Sequence, residues 1–419
     1  MTPGLRTAAV AIGIVLLATG CAGGSEDRDQ VRIRVDKSVA LADEPIRIQI
    51  TGLGAGQEVT VTSQAADHSG MQWSGRAAFT ADRTGTVDLT RARPRSGTYQ
   101  TPDAMGLFWS MNPQRGPADE SWFYPSWPEA QPEYEVRLAV EAGGKRLAAH
   151  RLTRTWMREG VTHRPLTVAQ DGVHGVLYLP PADAPRRTPV LSFGGSEGGF
   201  GDKYAAALLA SRGHPVLALC YFGCPERPET LERIELEYFA AGARLLNTRY
   251  GTGSQRSAII GYSRGSEAAQ LVAHHYPDLV HDVVLYAPSR QVNGGFPKGD
   301  VAWTKGDKPI KPGPIPVNRV RGTVLAIAGG GDELWPAAPA ARSIGKERGA
   351  SGRPHRALIY EGAGHGVGTH PYTAAGLRYE NPMVGEVVSM GGTRLSDAQA
   401  RSESWPQVLS LLRAADGGS

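Results

Sequence analysis

Ala258-Ile259-Ile260-Gly261-Tyr262-Ser263-Arg264-Gly265-Ser266-Glu267 decides the fold of this chain. A short apolar run enters a Gly-x-Ser-x-Gly turn, and an Ala-rich segment with helical spacing leaves it toward His275. Strand, sharp turn and helix in that order lift a serine hydroxyl above the end of a parallel strand. Glycine is needed on either side because larger side chains would collide with the neighbouring strand and helix. The pentapeptide alone is a weak signal in a chain with 53 glycines, so its flanks carry the reading.

The same texture extends in both directions. A strand over 189–193 enters the stretch Gly194-Gly195-Ser196-Glu197-Gly198-Gly199. Helix 204–211, strand 216–219, helix 231–247, strand 258–260, helix 266–275 and strand 283–286 follow, with further strands over 324–328 and 357–360. Short, wholly apolar strands alternating with amphipathic helices signal a mostly parallel sheet covered on both faces. Residues 31–158 read differently. Val31, Ile33 and Val35 alternate with charged residues, as do Ile46, Ile48 and Ile50, and Val136, Leu138 and Val140 form a later strand. Period-2 alternation broken by frequent turns predicts a small β-sandwich. The expected class is therefore α/β: an N-terminal β-sandwich domain over 31–158 and a catalytic domain with a mostly parallel sheet over 159–419. Between strands of the first domain, Met105-Gly106-Leu107-Phe108-Trp109-Ser110-Met111 precedes a loop carrying Trp122, Phe123, Tyr124 and Trp127. So aromatic a segment either covers an apolar cleft or plugs the joint between the domains.

A serine hydroxyl is a poor nucleophile until a base removes its proton, so Ser263 calls for a histidine and an acid at other strand ends. Asp332 follows Leu325-Ala326-Ile327-Ala328 and a triple-glycine turn, and His365 follows Leu358-Ile359-Tyr360 within Gly362-Ala363-Gly364-His365-Gly366. The order Ser, Asp, His is that of the α/β-hydrolase fold, with Ser263, Asp332 and His365 as the expected catalytic residues. Glu333 is the competing acid and His370 the near alternative base. His274 and His275 end a helix, and His163, His174, His214, His281 and His355 fall in ordinary loop or strand-edge contexts. The oxyanion formed in acyl transfer needs inward-facing amides, expected from Gly195, Ser196 and Arg264. A phosphate-cradling role for the glycine run lacks the Gly-Lys-Ser/Thr or Gly-x-Gly-x-x-Gly continuation it would need.

Composition narrows the partners. The 419 residues carry 45 Lys+Arg against 41 Asp+Glu, a formal charge of +4 dispersed along the chain, which argues against nucleic acid. No His-Glu-x-x-His occurs, and Cys220 and Cys224 have no second cysteine pair to complete a metal site, so neither a metal nor a cofactor is expected. A buried thiol at Cys220 is the plainer reading of that pair, with a Cys220–Cys224 bridge the alternative. Residues 1–21 open with Arg6, continue through an apolar run and end in Ala18-Thr19-Gly20-Cys21. This reads as a secretion signal whose exit resembles a bacterial lipobox, with Cys21 acylated and 22–30 a polar tether. Ala18 stands where such boxes usually carry Leu, and a plain signal peptide is the alternative. Either way the expected location is outside the cytoplasm: lipid-anchored on the outer side of the cell membrane, or secreted.

Several further segments point to one family. Val216-Leu217-Ala218-Leu219-Cys220-Tyr221-Phe222-Gly223, Leu236-Glu237-Tyr238-Phe239, Gly364-His365 and Pro371-Tyr372 stand with the glycine run and the serine turn in the second half. Ala42-Asp43-Glu44-Pro45, Thr51-Gly52-Leu53, Phe79-Thr80-Ala81-Asp82 and residues 105–111 stand in the first. Together they resemble the acyl-CoA thioesterase and bile acid-CoA:amino acid N-acyltransferase family over most of the chain after the signal. The resemblance implies Ser263 as nucleophile, Asp332 as orienting acid and His365 as base and then acid. It implies an acyl thioester or ester substrate and hydrolysis through an acyl-enzyme. Transfer to an amine is the variant reaction, which an oxygen ester favours less than a thioester. Acyl-CoA is intracellular, which conflicts with the outward signal. Two alternatives remain: a non-catalytic surface lipoprotein that binds without turnover, and a general carboxylesterase of the cell envelope.

Overall fold

The computed structural model describes residues 30–251, 256–368 and 370–415. The expected signal, Cys21 and the tether up to residue 29 lie outside the described residues.

Eight strands form the central sheet: β1 (Thr162–Leu166), β2 (His174–Leu179), β3 (Val190–Phe193), β4 (Val216–Cys220), β5 (Ser257–Tyr262), β6 (Val280–Tyr286), β7 (Val324–Gly329) and β8 (Arg356–Tyr360). Their spatial order is β1-β2-β4-β3-β5-β6-β7-β8. The pairings β1–β2 and β2–β4 are antiparallel, and every pairing from β4 onward is parallel. Every residue of β3, β4 and β7 is buried. Successive strand residues face opposite sides of a sheet, so such strands are covered on both, which is why they read as unbroken apolar runs. Helices α1 (Lys203–Ala210), α2 (Leu236–Tyr250), α3 (Arg264–His275), α4 (Ala337–Gly345) and α5 (Arg394–Ala414) supply the cover. This is the α/β-hydrolase arrangement.

The helix expected over 231–247 begins later, at Leu236. Ile234–Glu235 instead forms a short strand beside Trp303–Lys305, Leu231 bridges Phe296, and Arg233 adopts φ +52°. Leu231 and Ile234 are both fully buried by that pairing, so their i, i+3 spacing imitated a helical stripe. Helix α5 gave no readable stripe because Pro406 stands inside it among polar residues, and its start is marked instead by Thr393, whose Oγ1 accepts the Ser396 N–H (3.1 Å). Cys220 is not a free thiol: it is bonded to Cys224 across the turn after β4.

Residues 32–155 fold as the expected sandwich. Arg32–Val35, Ile48–Thr51 and Val87–Asp88 make one sheet. The larger sheet is built around Glu58–Ala66, Gln72–Thr80, Glu133–Ala142 and Lys145–Thr155. Burial alternates strictly along Gln72–Thr80, so each such strand gives one face to the core. The first part of the aromatic segment takes neither expected role, whereas the loop after it takes both. Gly106–Trp109 is a short buried helix plugging the sandwich core. The following loop crosses to the catalytic domain, where Trp122 Nε1 donates to the Arg378 carbonyl (3.0 Å), the Phe123 N–H to the Ala374 carbonyl (3.0 Å) and the Tyr204 hydroxyl to the Pro125 carbonyl (2.6 Å). Asp43 fastens the joint from the sandwich side: Oδ1 pairs with Arg212 (2.9 Å) and Oδ2 accepts Trp405 Nε1 (2.6 Å).

Candidate active site

Ser263 stands between β5 and α3 at φ +52°, ψ −121°. For a non-glycine residue this costs about 1–3 kcal/mol, and the turn is held because its surroundings leave no alternative. A Cβ on Gly261 would lie 2.5 Å from the Gly265 carbonyl oxygen, and one on Gly265 would lie 2.2 Å from that of Gly194. The two glycines of the motif are thus sterically required, and the strain is set by the packing of β5, α3 and the glycine run after β3.

Asp332 and His365 come from the turns after β7 and β8 and meet the serine at the same sheet edge. His365 Nε2 lies 2.9 Å from Ser263 Oγ, and His365 Nδ1 lies 2.8 Å from Asp332 Oδ2. Both side chains are almost wholly buried, at 2% and 1% exposure, so little water competes for these bonds. Asp332 is aimed by its own turn, since its Oδ1 accepts the N–H groups of Leu334 (2.9 Å) and Trp335 (3.3 Å). The backbone of His365 is pinned at both ends: its N–H donates to Met390 (2.7 Å) and its carbonyl accepts the Tyr262 hydroxyl (3.0 Å). Preceding it, the Gly364 N–H donates to Asp397 Oδ1 on α5 (2.8 Å). Glu333 is exposed. His370 pairs with Asp202 (3.0 Å).

The serine opens onto a cavity of about 630 Å³, lined by Trp122, Tyr124, Trp127, Phe200, Tyr379 and Met390 among others. A larger hollow of about 920 Å³, lined by Arg158, Arg187, Arg212 and Arg413, includes none of the three site residues and has no part in this chemistry.

Residues 43–168 match the family model of the acyl-CoA thioester hydrolase/BAAT N-terminal region, and residues 291–417 match that of the BAAT/acyl-CoA thioester hydrolase C-terminal region. The chain belongs to this family. Human mitochondrial acyl-coenzyme A thioesterase 2 is 28% identical over 412 residues, covering 90% of this chain and 82% of that protein. Human acyl-coenzyme A thioesterase 1 is 27% identical over 90% of this chain and 94% of its own length, and mouse acyl-coenzyme A thioesterase 6 is 27% identical over 88% and 93%. Among solved structures, a dienelactone hydrolase-like promiscuous phosphotriesterase from metagenomic libraries aligns with 62% of this chain and 100% of its own, at 17% identity and a TM-score of 0.41.

In this family member the glycine run after β3 holds a further group, Glu197, that no sequence motif marks. Gly195 touches Ser263, as a Cβ there would lie 2.8 Å from Ser263 Cβ. Its amide, however, is occupied: it donates to Glu197 Oε1 (2.8 Å). The expected oxyanion donor is therefore held by a carboxylate of its own loop. Ser196 Oγ accepts Asn381 Nδ2 (3.2 Å), and the Arg264 side chain is held by Glu267 (2.8 Å) and the Gly294 carbonyl (2.7 Å), which fixes the first turn of α3 behind the serine. Burial raises the Glu197 pKa above the usual carboxyl value, against the opposing pull of the Gly195 N–H and of His365.

The raised value has a measurable sign. In the window between the ordinary carboxyl range and the raised folded value, the folded chain binds more protons than the unfolded one, so this residue destabilises the fold progressively as pH rises. Glu197→Gln removes the charge and keeps an acceptor for Gly195. Its thermal midpoint is expected above wild type at neutral pH, with the gap closing as pH falls toward about 4. Melting curves across that range check it, and a gap independent of pH would rule out burial of the charge as its source.

Proposed function

We propose that this chain is a serine acyl hydrolase of the thioesterase type, working through an acyl-enzyme on Ser263. The observation carrying the proposal is the unbroken relay from Ser263 Oγ through His365 to Asp332, dry and opening directly onto an aromatic cavity. His365 Nε2 takes the hydroxyl proton as Oγ attacks the substrate carbonyl, and Asp332 holds the ring in the tautomer that leaves Nε2 free to accept. The Arg264 amide, at the start of α3, stabilises the oxyanion. A second amide comes from the Gly195-Ser196 turn once Glu197 has yielded its place. Collapse of the tetrahedral adduct expels the thiol or alcohol, which takes its proton from His365. Water, deprotonated by the same ring, then attacks the ester and releases the acid. Because the intermediate is an oxygen ester, water is favoured over an amine as its acceptor.

The relatives' names supply the substrate class, an acyl thioester. We further propose that the protein works outside the cytoplasm, anchored through Cys21. The Cys220–Cys224 bond supports this, since disulfides persist in oxidising compartments. The physiological substrate is then an ester or thioester of the cell envelope, and acyl-CoA a competent surrogate. A fluorophosphonate probe on purified protein tests the central claim. Labelling is expected at Ser263, together with turnover of acyl-CoAs of graded length and simple esters, each with and without glycine as acceptor. A silent probe with no turnover would favour the binding lipoprotein.

A further inference from the structure

The cavity beside Ser263 contains a cation that the steps above leave unused. Arg401, on α5, lines that cavity and is only 6% exposed. Its Nε is wholly buried and has no hydrogen-bond partner. Other ionisable groups on the same wall have partners: Lys203 pairs with Glu129 (3.0 Å), His370 Nδ1 lies 3.0 Å from Asp202 Oδ2, and Glu197 takes the Gly195 amide (2.8 Å). Arg401 makes no hydrogen bond or ion pair among the described residues. Asp397, one turn earlier on α5, is the nearest compensating charge and attracts it through space; its Oδ1 is committed to the Gly364 N–H (2.8 Å), and its Oδ2 makes no hydrogen bond among the described residues. Even a full pairing with the other oxygen would satisfy one edge of the guanidinium. Asp202 also pulls on it from a distance while pairing with His370 (3.0 Å), and the phenols Tyr262 and Tyr124 stand near it, but none of the three hydrogen-bonds the guanidinium among the described residues.

A guanidinium carries five N–H donors in a rigid plane, and burying it unmatched is costly. In so dry a wall an arriving anion is attracted with little screening, and a carboxylate fits the planar fork through two parallel bonds. A leaving group must escape to solvent between the two chemical steps, whereas the acyl portion stays in the cavity, so a deeply placed cation addresses the acyl portion. We propose that Arg401 selects acyl groups bearing an anion of their own: a carboxylate at the far end of the chain docks on the guanidinium while the ester or thioester carbonyl meets Ser263. This rests on the acyl-hydrolase reading above and names its substrate class, the half-esters and half-thioesters of dicarboxylic acids.

The test sets p-nitrophenyl half-esters of the series from succinic to suberic acid against p-nitrophenyl esters of monoacids of equal chain length, using the full chain. At the best-fitting length, wild type is expected to show the higher kcat/KM on the carboxylated ester. Arg401→Met should lower that value about 10- to 100-fold, the factor a charge-assisted hydrogen bond carries, and leave the monoacid ester within about threefold. Arg401→Lys, which keeps the charge without the fork, should recover part of the loss. A wild-type preference for the monoacid at every length overturns the proposal without needing any variant to fold. Equal losses on both series overturn it too, as does a loss confined to monoacyl-CoAs assayed alongside, which would assign the cation to the leaving group's phosphates. Ser263-dependent turnover of monoacid esters alongside any of these results would leave the hydrolase reading standing while this one falls. If no ester is turned over, titration with adipate against hexanoate, read by emission of the cavity tryptophans Trp122 and Trp127, still decides. Adipate binding lost in Arg401→Met supports the site, and no preference for adipate removes it.

Discussion

Ser263→Ala is expected to lower kcat by about 10⁴- to 10⁶-fold on any ester or thioester the wild type cleaves, with the fold intact. In the proposed mechanism the hydroxyl oxygen forms the covalent bond, and no neighbour stands in for it. Its hydrogen bond to His365 Nε2 is the contact that the substitution removes. His365 keeps its position through Asp332, the Met390 carbonyl and the Tyr262 hydroxyl, and alanine meets the same backbone demand at φ +52° as serine does. The loss is therefore chemical. Steady-state and single-turnover kinetics would show it, with circular dichroism and urea melts unchanged. Residual turnover comparable to wild type would end the covalent mechanism.

Asp332→Asn is the second large effect, about 10³- to 10⁴-fold in kcat with KM little changed. Asparagine can still accept the Leu334 and Trp335 N–H groups through Oδ1, so the turn after β7 survives. The atom facing His365 Nδ1 then becomes an amide nitrogen. Two donors cannot share that bond, so the ring turns its protonated nitrogen toward Ser263 and can no longer accept the hydroxyl proton. Glu333→Gln is the matched control: its side chain lies in solvent and its activity should stay at wild type. A loss seen in KM with kcat preserved would place Asp332 in substrate binding instead.

How far the site could be read in advance varied with the kind of signal. Ser263 was legible because its turn needs glycine at two fixed positions, and both contacts prove to be backbone collisions that any Cβ would create. Asp332 and His365 were legible because each follows an apolar strand through a glycine turn, a pattern that survives without knowledge of the sheet order. Glu197 was in plain view within the glycine run, yet no spacing rule says that a side chain two residues on will bend back onto the Gly195 amide. Arg401 and Asp397 left no trace. They sit on a helix interrupted by Pro406, and their importance comes from a cavity whose other wall is the aromatic loop of residues 122–127. The start of α2 was misplaced because Leu231 and Ile234 satisfy their burial through strand pairing with distant residues, which a local window cannot distinguish from a helical face.

By itself, then, the amino-acid order determined the two-part plan, an alternating sandwich followed by a buried, mostly parallel sheet, together with the strand ends that carry Ser263, Asp332 and His365. Those features depend on local periodicity and on turns where one residue type alone fits. Tertiary structure decided which acid faces His365, that an amide beside the serine is occupied by Glu197, that Cys220 is bonded to Cys224, and that a guanidinium without a hydrogen-bond partner among the described residues lines the cavity. Each of these is a matter of orientation between segments far apart in the chain, set by packing to within an ångström or so, and such distances are created only when the sheet closes and the aromatic loop is laid across it.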